Sequence, residues 1–301
     1  MAENCFHDVI TIDPLHIASH IGMAGLYHMK GELGEAESWY SKALLIEPAN
    51  IFAKHALRAI SGGYSGDDAT DINGYVEHLF DAYATNFDKS LKELEYHAPA
   101  LLAEELAKKW QQFGIREPPR ILDIGAGTGL LCEAVKKSMK VKHIDGVDIS
   151  KKMIQKAKSK QCYDDTYVSE AKLFLNVTDY NKRRSTFDVV LAADVFVYIG
   201  DFWDIVIMAI ENLDLAQGFG LVSFTVESQD SQIPDLFTLT SSGRFTHSKS
   251  YIIANIHNSV LKLPQDCKLE YNISDEIVLR KNNGQDVLGY IVDILVICSQ
   301  S

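Results

Sequence analysis

The sequence lacks the features that define several large classes of protein. Among its 301 residues are five cysteines, and no two of them form a Cys-x-x-Cys pair: Cys5, Cys132, Cys162, Cys267 and Cys298. An odd number of widely spaced cysteines predicts buried free thiols rather than a disulfide framework or a zinc site. No apolar run approaches the roughly 20 residues of a membrane span, and the opening MAENCFHD lacks a signal-peptide pattern. We therefore expect a cytoplasmic protein without a membrane partner.

Positive charge is also scarce. The chain has 29 lysines and arginines against 41 aspartates and glutamates, which gives a net charge of −12. A surface this acidic repels phosphate backbones, so we expect no nucleic-acid partner. The lysines between Lys136 and Lys160 are interpreted as solvated helix faces. Apolar residues make up 47% of the chain, enough for one large core and a second, smaller unit.

Residues 1–61 contain a repeated helical pattern. The stretch AESWYSKALLIEP at 36–48 places small Ala36 and Ala43 beside Tyr40 and ends at Pro48. The same pattern occurs about 34 residues earlier, at Ala2, Phe6, Val9 and Pro14. The segment resembles tetratricopeptide (TPR) repeats: half a repeat, one whole repeat and a closing helix. So few repeats are marginally stable alone, and the resemblance implies either a groove for a protein partner or a packing appendage.

A linker and a group of helices follow the repeats. Residues 62–74 are rich in glycine, aspartate and serine and have no apolar periodicity, which predicts a linker. Apolar residues at helical spacing resume over 75–113. The many aromatic residues there favour a helical cap over a neighbouring pocket, with Tyr83 and Phe87 as lid residues. The remaining domain is predicted to span 114–301.

A glycine-rich loop opens that domain. The stretch RILDIGAGTGLL at 120–131 is an apolar strand, then Gly125, Gly127 and Gly129, then a helix. Closely spaced glycines let a ligand approach the backbone, and the helix start offers unpaired N–H groups. This arrangement predicts a nucleotide-type site at the first strand-to-helix turn of an α/β sheet.

The residues around the glycines indicate which nucleotide binds. A dinucleotide fold requires G-x-G-x-x-G, but Leu130 occupies the position of its third glycine. Asp123 would repel a pyrophosphate and suits a ligand that carries an ammonium group. S-adenosylmethionine has an ammonium, a sulfonium and no phosphate. The pattern D-x-G-x-G-x-G therefore resembles motif I of the class I methyltransferases, and an NAD-dependent oxidoreductase is kept as an alternative.

This resemblance implies a Rossmann-like, seven-stranded sheet with helices on both faces, and it assigns roles to later residues. Asp148, about 20 residues after Gly129, would hold the ribose diol, with Ile149 and Met153 along the adenine. A further acid and backbone N–H for the adenine would be Glu170 and Ala171. The end of the fourth strand would place Asp194 and Val195 near the methionine moiety. The full set of expected cofactor residues is Tyr83, Asp123, Gly125, Ala126, Gly127, Gly129, Asp148, Ile149, Met153, Glu170, Ala171, Asp194 and Val195.

Two late stretches complete the predicted sheet. SDEIVLR at 274–280 and GYIVDILVICS at 289–299 look like the antiparallel pair that closes this fold. The order of the parts, together with LAADVFVYIGD at 191–201 and SGRFTHSKSYI at 242–252, is similar to a bacterial group of predicted methyltransferases with TPR repeats.

The resemblance implies S-adenosylmethionine-dependent methyl transfer to an unidentified acceptor. We expect a small-molecule acceptor first, a protein acceptor docked by the repeats second, and a non-catalytic cofactor-binding scaffold third. Tyr198 and His247 are the candidate bases, His247 because imidazole titrates near neutral pH; the alternatives for His247 are a surface residue or a hydrogen-bonded structural residue. No metal is expected. The fourth strand lacks the Asn-Pro-Pro-Tyr stretch of amino-methylating DNA enzymes, which argues against DNA as the acceptor.

Overall fold

The computed structural model describes residues 2–62, 69–176, 187–229, 236–259, 263 and 266–299. The chain divides into two compact units. The first comprises residues 1–75 with 238–245, and the second comprises residues 76–237 with 246–301. The domain limits inferred from the sequence remain predictions.

The N-terminal part of the first unit is all-helical, as expected. Its described residues form α1 (Ala2–Ile12), α2 (Ile17–Lys30), α3 (Leu33–Ile46) and α4 (Ile51–Ser61). Gly31 ends α2 in the left-handed conformation, with φ of +78°. Asn50 caps α4 by accepting a hydrogen bond from the Ala53 amide. The helices meet at small residues and one aromatic ring: Ala24, Ala36, Tyr40, Ala43 and Ala53. The identity of these helices as TPR repeats remains a prediction.

Three helices follow, α5 (Ala69–Tyr83), α6 (Phe87–Glu93) and α7 (Ala98–Gln112). Within the stretch expected to be a linker, 62–74, residues 69–74 form the first turns of α5. The helix begins early because its apolar stripe already includes Ile72, which is buried. Linker residues 63–68 lie outside the described residues.

The second unit is built around a mixed sheet. Its strands are β1 (Arg120–Ile124), β2 (His143–Asp148), β3 (Asp165–Val168), β4 (Val189–Ala192), β5 (Phe219–Glu227), β8 (Cys267–Ile273), β9 (Ile277–Asn282) and β10 (Gln285–Cys298). Among the described residues the order is β3-β2-β1-β4-β5-β10-β8, with β9 paired to β10. The first five strands are parallel and β10 is antiparallel, so the sheet has the expected Rossmann-like order. A separate pair of short strands is β6 (Phe237–Leu239) and β7 (Phe245–His247).

The closing strands differ from the prediction. The expected pair, β9 and β10, is antiparallel, but it covers only the first residues of β10, from Gln285 to Gly289. The rest of β10 pairs with β5 and with the edge strand β8. Strand β9 has its own role next to α6: the Lys281 amide donates to the Leu94 carbonyl at 2.7 Å, and the His97 amide donates to the Leu279 carbonyl at 2.8 Å.

Helices cover both faces of the sheet. They are α8 (Leu130–Ser138), α9 (Lys151–Lys160), α10 (Ala171–Leu175), α11 (Trp203–Glu211) and α12 (Lys249–Ser259). Alternate residues of β1 point to opposite faces. Ile121 joins a core with α7 and α8, whereas Leu122 joins the core that contains α11 and α12. Among the described residues, no helix is long and apolar enough to cross a membrane.

The prediction of free thiols is wrong for four of the five cysteines. Disulfide bonds join Cys132 to Cys162 and Cys267 to Cys298, and Cys5 is exposed and free. The partners are about 30 residues apart in sequence and form no short motif, so their pairing depends on the fold. Cys267 and Cys298 are register partners on β8 and β10. Cys132 lies in α8, and Cys162 follows α9.

Candidate cofactor site

The glycine loop joins β1 to α8 at the carboxyl edge of the parallel strands. Gly125, Gly127 and Gly129 all have positive φ, of +69°, +52° and +93°. The alternation of glycines therefore supplies a left-handed backbone at every second position, which other residues adopt at a cost. The amides of Gly125 and Ala126 both donate to the Val147 carbonyl, at 2.8 and 3.0 Å, and tie the loop to the end of β2.

The loop is closely covered on two sides. A Cβ atom at Gly125 would collide with the side chain of Val195, which follows β4. A Cβ atom at Gly127 would lie 3.7 Å from the ring of Phe87 in α6. The structure thus brings together the predicted loop, the predicted residue after β4 and the predicted lid residue.

Asp123 is buried immediately before the loop, with 1% of its surface exposed. Burial raises the pKa of its carboxyl group to about 7, and the nearby charge of Asp148 acts in the same direction. The Tyr163 hydroxyl group opposes this shift by donating a hydrogen bond to Asp123 Oδ2 at 2.5 Å. Tyr163 is a site residue that the sequence did not reveal. Gly146, a glycine inside β2, was the available signal, because such a glycine indicates close approach of another group.

Asp148 occupies the end of β2, as predicted. Its Oδ2 accepts a hydrogen bond from the Gly127 amide at 2.8 Å, and its Oδ1 accepts one from the Ser150 amide at 2.7 Å. Burial raises the pKa of this carboxyl group to about 6, and the two amides limit the increase. Each carboxylate oxygen keeps a second lone pair, so the group can still accept hydrogen bonds from a diol.

The residues expected at the adenine follow β2 and β3. Ile149 is half-buried beside Asp148, whereas Met153 is wholly buried in the first turn of α9 and offers no free surface in this arrangement. Glu170 is the residue before α10, and Ala171 is the first residue of that helix. Both are half-buried. The roles of these four residues remain predictions.

A charged cluster stands at the ends of β4 and β5. Asp194 has a φ of +59°, a backbone conformation that is uncommon for residues with a side chain and that aspartate adopts more often than most. Its amide donates to Thr225 Oγ1 at 2.8 Å. The buried Arg280 guanidinium lies 3.4 Å from Asp194 and 2.6 Å from Glu227. Two carboxylates thus face one guanidinium, which leaves this edge of the sheet favourable to a cation.

Helices α5 and α6, which we call the cap helices, are attached to the cofactor loops by two carboxylates. Asp81 accepts a hydrogen bond from Ser150 Oγ at 2.6 Å. Asp88 accepts one from the Thr128 hydroxyl group and forms an ion pair with Lys160 at 2.8 Å. Neither carboxylate was singled out from the sequence. Acids on an exposed helix face are common, and nothing local shows what they contact.

Aromatic rings extend from the cap helices to the residues after β4. The ring of Phe80 is 5.9 Å from Phe87 and 5.1 Å from Tyr198, and both pairs are edge-to-face. Tyr198 is half-buried in a short 3₁₀ turn, Phe196–Tyr198. Tyr83, the other predicted lid residue, is the last residue of α5 and is 52% exposed.

The proposed catalytic role of His247 is not supported by its position. The side chain is wholly buried beside Phe202, Phe237 and Tyr251. Its Nε2 donates to the Gly200 carbonyl at 2.8 Å, and burial lowers the pKa of the imidazole to about 4. A neutral imidazole that is enclosed in this way fills the alternative role expected of it, a hydrogen-bonded structural residue.

One set of side chains with metal-ligand chemistry lies at the opposite ends of β2 and β3, among the described residues. It comprises His143, Asp145 and Asp165. His143 Nε2 is 2.7 Å from Asp145 Oδ1, and this contact limits the increase in the pKa of Asp145 that burial causes. The hydrogen bond between His143 and Asp145 therefore explains why these two side chains lie together, and both lie at the end of β2 opposite to the glycine loop.

Comparison with known proteins agrees with this geometry. Residues 122–214 match the family model described as "Methyltransferase domain". The sequence has no significant match among curated proteins. The magnesium protoporphyrin IX methyltransferase of Synechocystis PCC 6803 with bound SAM is a similar solved structure, with a TM-score of 0.50 at 11% identity over 74% of this chain and 96% of that one.

Two further solved structures are similar. The plantazolicin methyltransferase BpumL in complex with SAH has a TM-score of 0.50 at 16% identity, over 76% of this chain and 99% of that one. A SAM-dependent methyltransferase of Leishmania major has a TM-score of 0.52 at 15% identity, over 76% and 85%. At these identities the likeness establishes the fold.

The fold, the loop and the family model together define a class I methyltransferase domain. Residues 122–214 thus belong to a methyltransferase domain that uses S-adenosylmethionine, and the described N-terminal residues form an all-helical segment.

Proposed function

We propose that the protein transfers the methyl group of S-adenosylmethionine to a small-molecule acceptor bound between the glycine loop and the cap helices. The observation that carries this proposal is the attachment of the cap helices by Asp81 and Asp88 to the loops that would hold the cofactor. A cap attached there restricts the acceptor side of the site, which suits a compact acceptor better than an extended one.

In this proposal, two buried carboxylates bind different parts of the cofactor. Asp148 accepts hydrogen bonds from the ribose diol, and Asp123 attracts the ammonium group. Asp194 and Val195 would hold the methionine moiety. Ile149, Glu170 and Ala171 would hold the adenine. This assignment rests on the positions of the carboxylates at adjoining strand ends and on their burial, which strengthens attraction for a cation.

The reaction requires positioning more than acid–base chemistry. The sulfonium of the cofactor supplies an activated methyl group, so the chain's residues mainly align the acceptor and exclude water. Phe80 and Phe87 provide the apolar cover. Tyr198, whose ring contacts Phe80, is the residue we assign to the acceptor side, where a phenol group would serve an acceptor that must lose a proton.

A second candidate function is methylation of a protein that docks on the helical segment. Four apolar side chains there are strongly exposed, Ile12, Leu15, Met29 and Leu45, at 85%, 70%, 77% and 84%. Exposed apolar side chains mark protein-binding surfaces when they form a patch. The third candidate, a scaffold that binds the cofactor without turnover, shares the same cofactor site.

A methyl-labelling experiment tests these candidates. The full-length protein is incubated with labelled S-adenosylmethionine and a cell extract, and label is measured separately in small molecules and in proteins. We expect label in small molecules, lost with Asp148→Ala and retained with the matched surface variant Asp286→Ala.

The other outcomes distinguish the alternatives. Label in a protein that disappears with the combined change Ile12→Ser, Leu15→Ser and Leu45→Ser would favour docking. Calorimetric binding of S-adenosylhomocysteine without any labelled product would favour the scaffold.

A further inference from the structure

The turn before β3 carries a tyrosine that reaches into the cofactor loop. The ring of Tyr163 lies over two glycines: a Cβ atom at Gly146 would be 3.0 Å from the ring, and one at Gly129 would be 3.3 Å from it. Gly146 is inside β2, where a glycine otherwise weakens a strand. The two glycines therefore make the space that this ring occupies.

The hydroxyl group of Tyr163 has one strong acceptor. It donates to Asp123 Oδ2 at 2.5 Å, and the Ala126 carbonyl at 3.4 Å is a weaker contact for the same proton. Burial raises the pKa of the Tyr163 hydroxyl group, and the charge of Asp123 acts in the same direction, so the proton stays on the tyrosine.

The turn that carries Tyr163 is also fixed by a disulfide bond at the preceding residue. Its neighbour Cys162 forms the disulfide bond with Cys132. The Lys136 side chain donates a hydrogen bond to the Cys162 carbonyl. The turn that carries the ring is therefore fixed to the helix that follows the glycine loop, at two points within α8.

We propose that Tyr163 is a positioning residue for the cofactor: its hydroxyl group orients the Asp123 carboxylate and stabilises its negative charge for the ammonium group of S-adenosylmethionine. This inference rests on the proposed role of Asp123. Without the hydroxyl group the carboxylate would be buried with no comparable donor among the residues that the structure describes, and an uncompensated buried charge is costly.

The groups around Asp123 predict how removal of the Tyr163 hydroxyl group changes the pKa of Asp123. The titratable groups that face it are Tyr163, from the turn before β3, and Asp148, from the end of β2. Asp148 raises the pKa of Asp123, and Tyr163 lowers it. Removal of the hydroxyl group therefore raises the pKa of Asp123 further, so ionisation requires a higher pH.

The test is calorimetric titration of the full-length protein with S-adenosylhomocysteine, which carries the same ammonium group, from about pH 5 to about pH 8. Tyr163→Phe is compared with Tyr290→Phe, which removes a tyrosine hydroxyl group bonded to Glu276 at 3.0 Å, away from the loop. We expect Tyr163→Phe to weaken binding roughly 10-fold near neutral pH and to move the rise in affinity to higher pH. Tyr290→Phe should leave both unchanged.

A double-mutant cycle separates positioning from a structural role. In an Asp123→Asn background, Tyr163→Phe should have no additional effect on affinity, because the carboxylate through which it acts is absent. A uniform loss of affinity at every pH, or additive losses in the cycle, would overturn the inference. Failure of the wild-type protein to bind S-adenosylhomocysteine would instead overturn the proposed function, and this inference with it.

Discussion

The Thr128 hydroxyl group donates a hydrogen bond to the Asp88 carboxylate, and this contact joins the glycine loop to the cap helices. Lys160 shares the same carboxylate at 2.8 Å and also contacts Glu133 in α8 at 3.2 Å. One acid on α6 thus connects to both helices that flank the proposed cofactor. The stability of the closed cap should depend on that charge.

Asp88→Asn keeps the size of the side chain and removes the charge. We expect S-adenosylhomocysteine to dissociate roughly 3- to 10-fold faster, because a charge-assisted hydrogen bond becomes a neutral one. Stopped-flow displacement measures this rate. Asp286→Asn, on the exposed start of β10, is the matched control. A dissociation rate equal to that of the wild type would show that the contact does not retain the cofactor.

The buried Asp148 carboxyl group predicts how stability depends on pH. Its pKa rises from an ordinary 3.8 to about 6 on folding, so between these values the folded state binds more protons than the unfolded state. Its contribution to stability is therefore lost as the pH rises through this window, by up to about 3 kcal/mol. Asp148→Asn removes the titration. We expect the difference in unfolding free energy, variant minus wild type, to increase from about pH 4 to about pH 6. A difference that stays constant in urea titrations over this range would contradict the prediction.

The two disulfide bonds should have separable effects. Each closes a loop of similar length, so replacement of either pair by serine should lower the free energy of unfolding by about 3–4 kcal/mol. Only the Cys132→Ser, Cys162→Ser variant should weaken binding of S-adenosylhomocysteine, because that bond holds Tyr163 beside the glycine loop. The Cys267→Ser, Cys298→Ser variant is the control. Equal affinity in the two variants would refute the distinction.

Alanine substitutions at two glycines with similar backbone geometry test whether the cofactor approaches the backbone of the glycine loop closely. Gly125 and Gly284 have φ of +69° and +78°, but a Cβ atom would meet Val195 at Gly125 and open space at Gly284. Both alanine variants should lose about 1 kcal/mol of stability from the backbone. Gly125→Ala should in addition abolish calorimetric binding of the cofactor, whereas Gly284→Ala should bind normally. Normal binding by Gly125→Ala would exclude close approach at this position.

The sequence was most informative where function is encoded in contiguous residues. Strand β1, the three glycines and Asp148 follow one another at short, fixed separations, and each has a local physical requirement. The same locality explains the success with the parallel strands, whose apolar runs need no knowledge of their neighbours.

The sequence was least informative where partners are distant. Tyr163 and Asp123 are 40 residues apart, and Asp81 and Ser150 are 69 apart. No motif connects either pair. The disulfide partners, too, are brought together only by the finished sheet and helices. The burial of His247 is likewise a property of the fold, and the sequence shows only that its side chain can titrate near neutral pH.

The attachment of α6 to β9 has a further consequence. That attachment is made by main-chain amides and carbonyls at Leu94, His97, Leu279 and Lys281, groups that nearly every amino acid supplies. On the opposite side of the cap, each described hydrogen bond to the cofactor loops depends on a carboxylate side chain, Asp81 or Asp88. Single substitutions can therefore change how stably the cap closes over the cofactor loops. The main-chain contacts to β9, which nearly every substitution preserves, keep the position at which the cap joins the sheet.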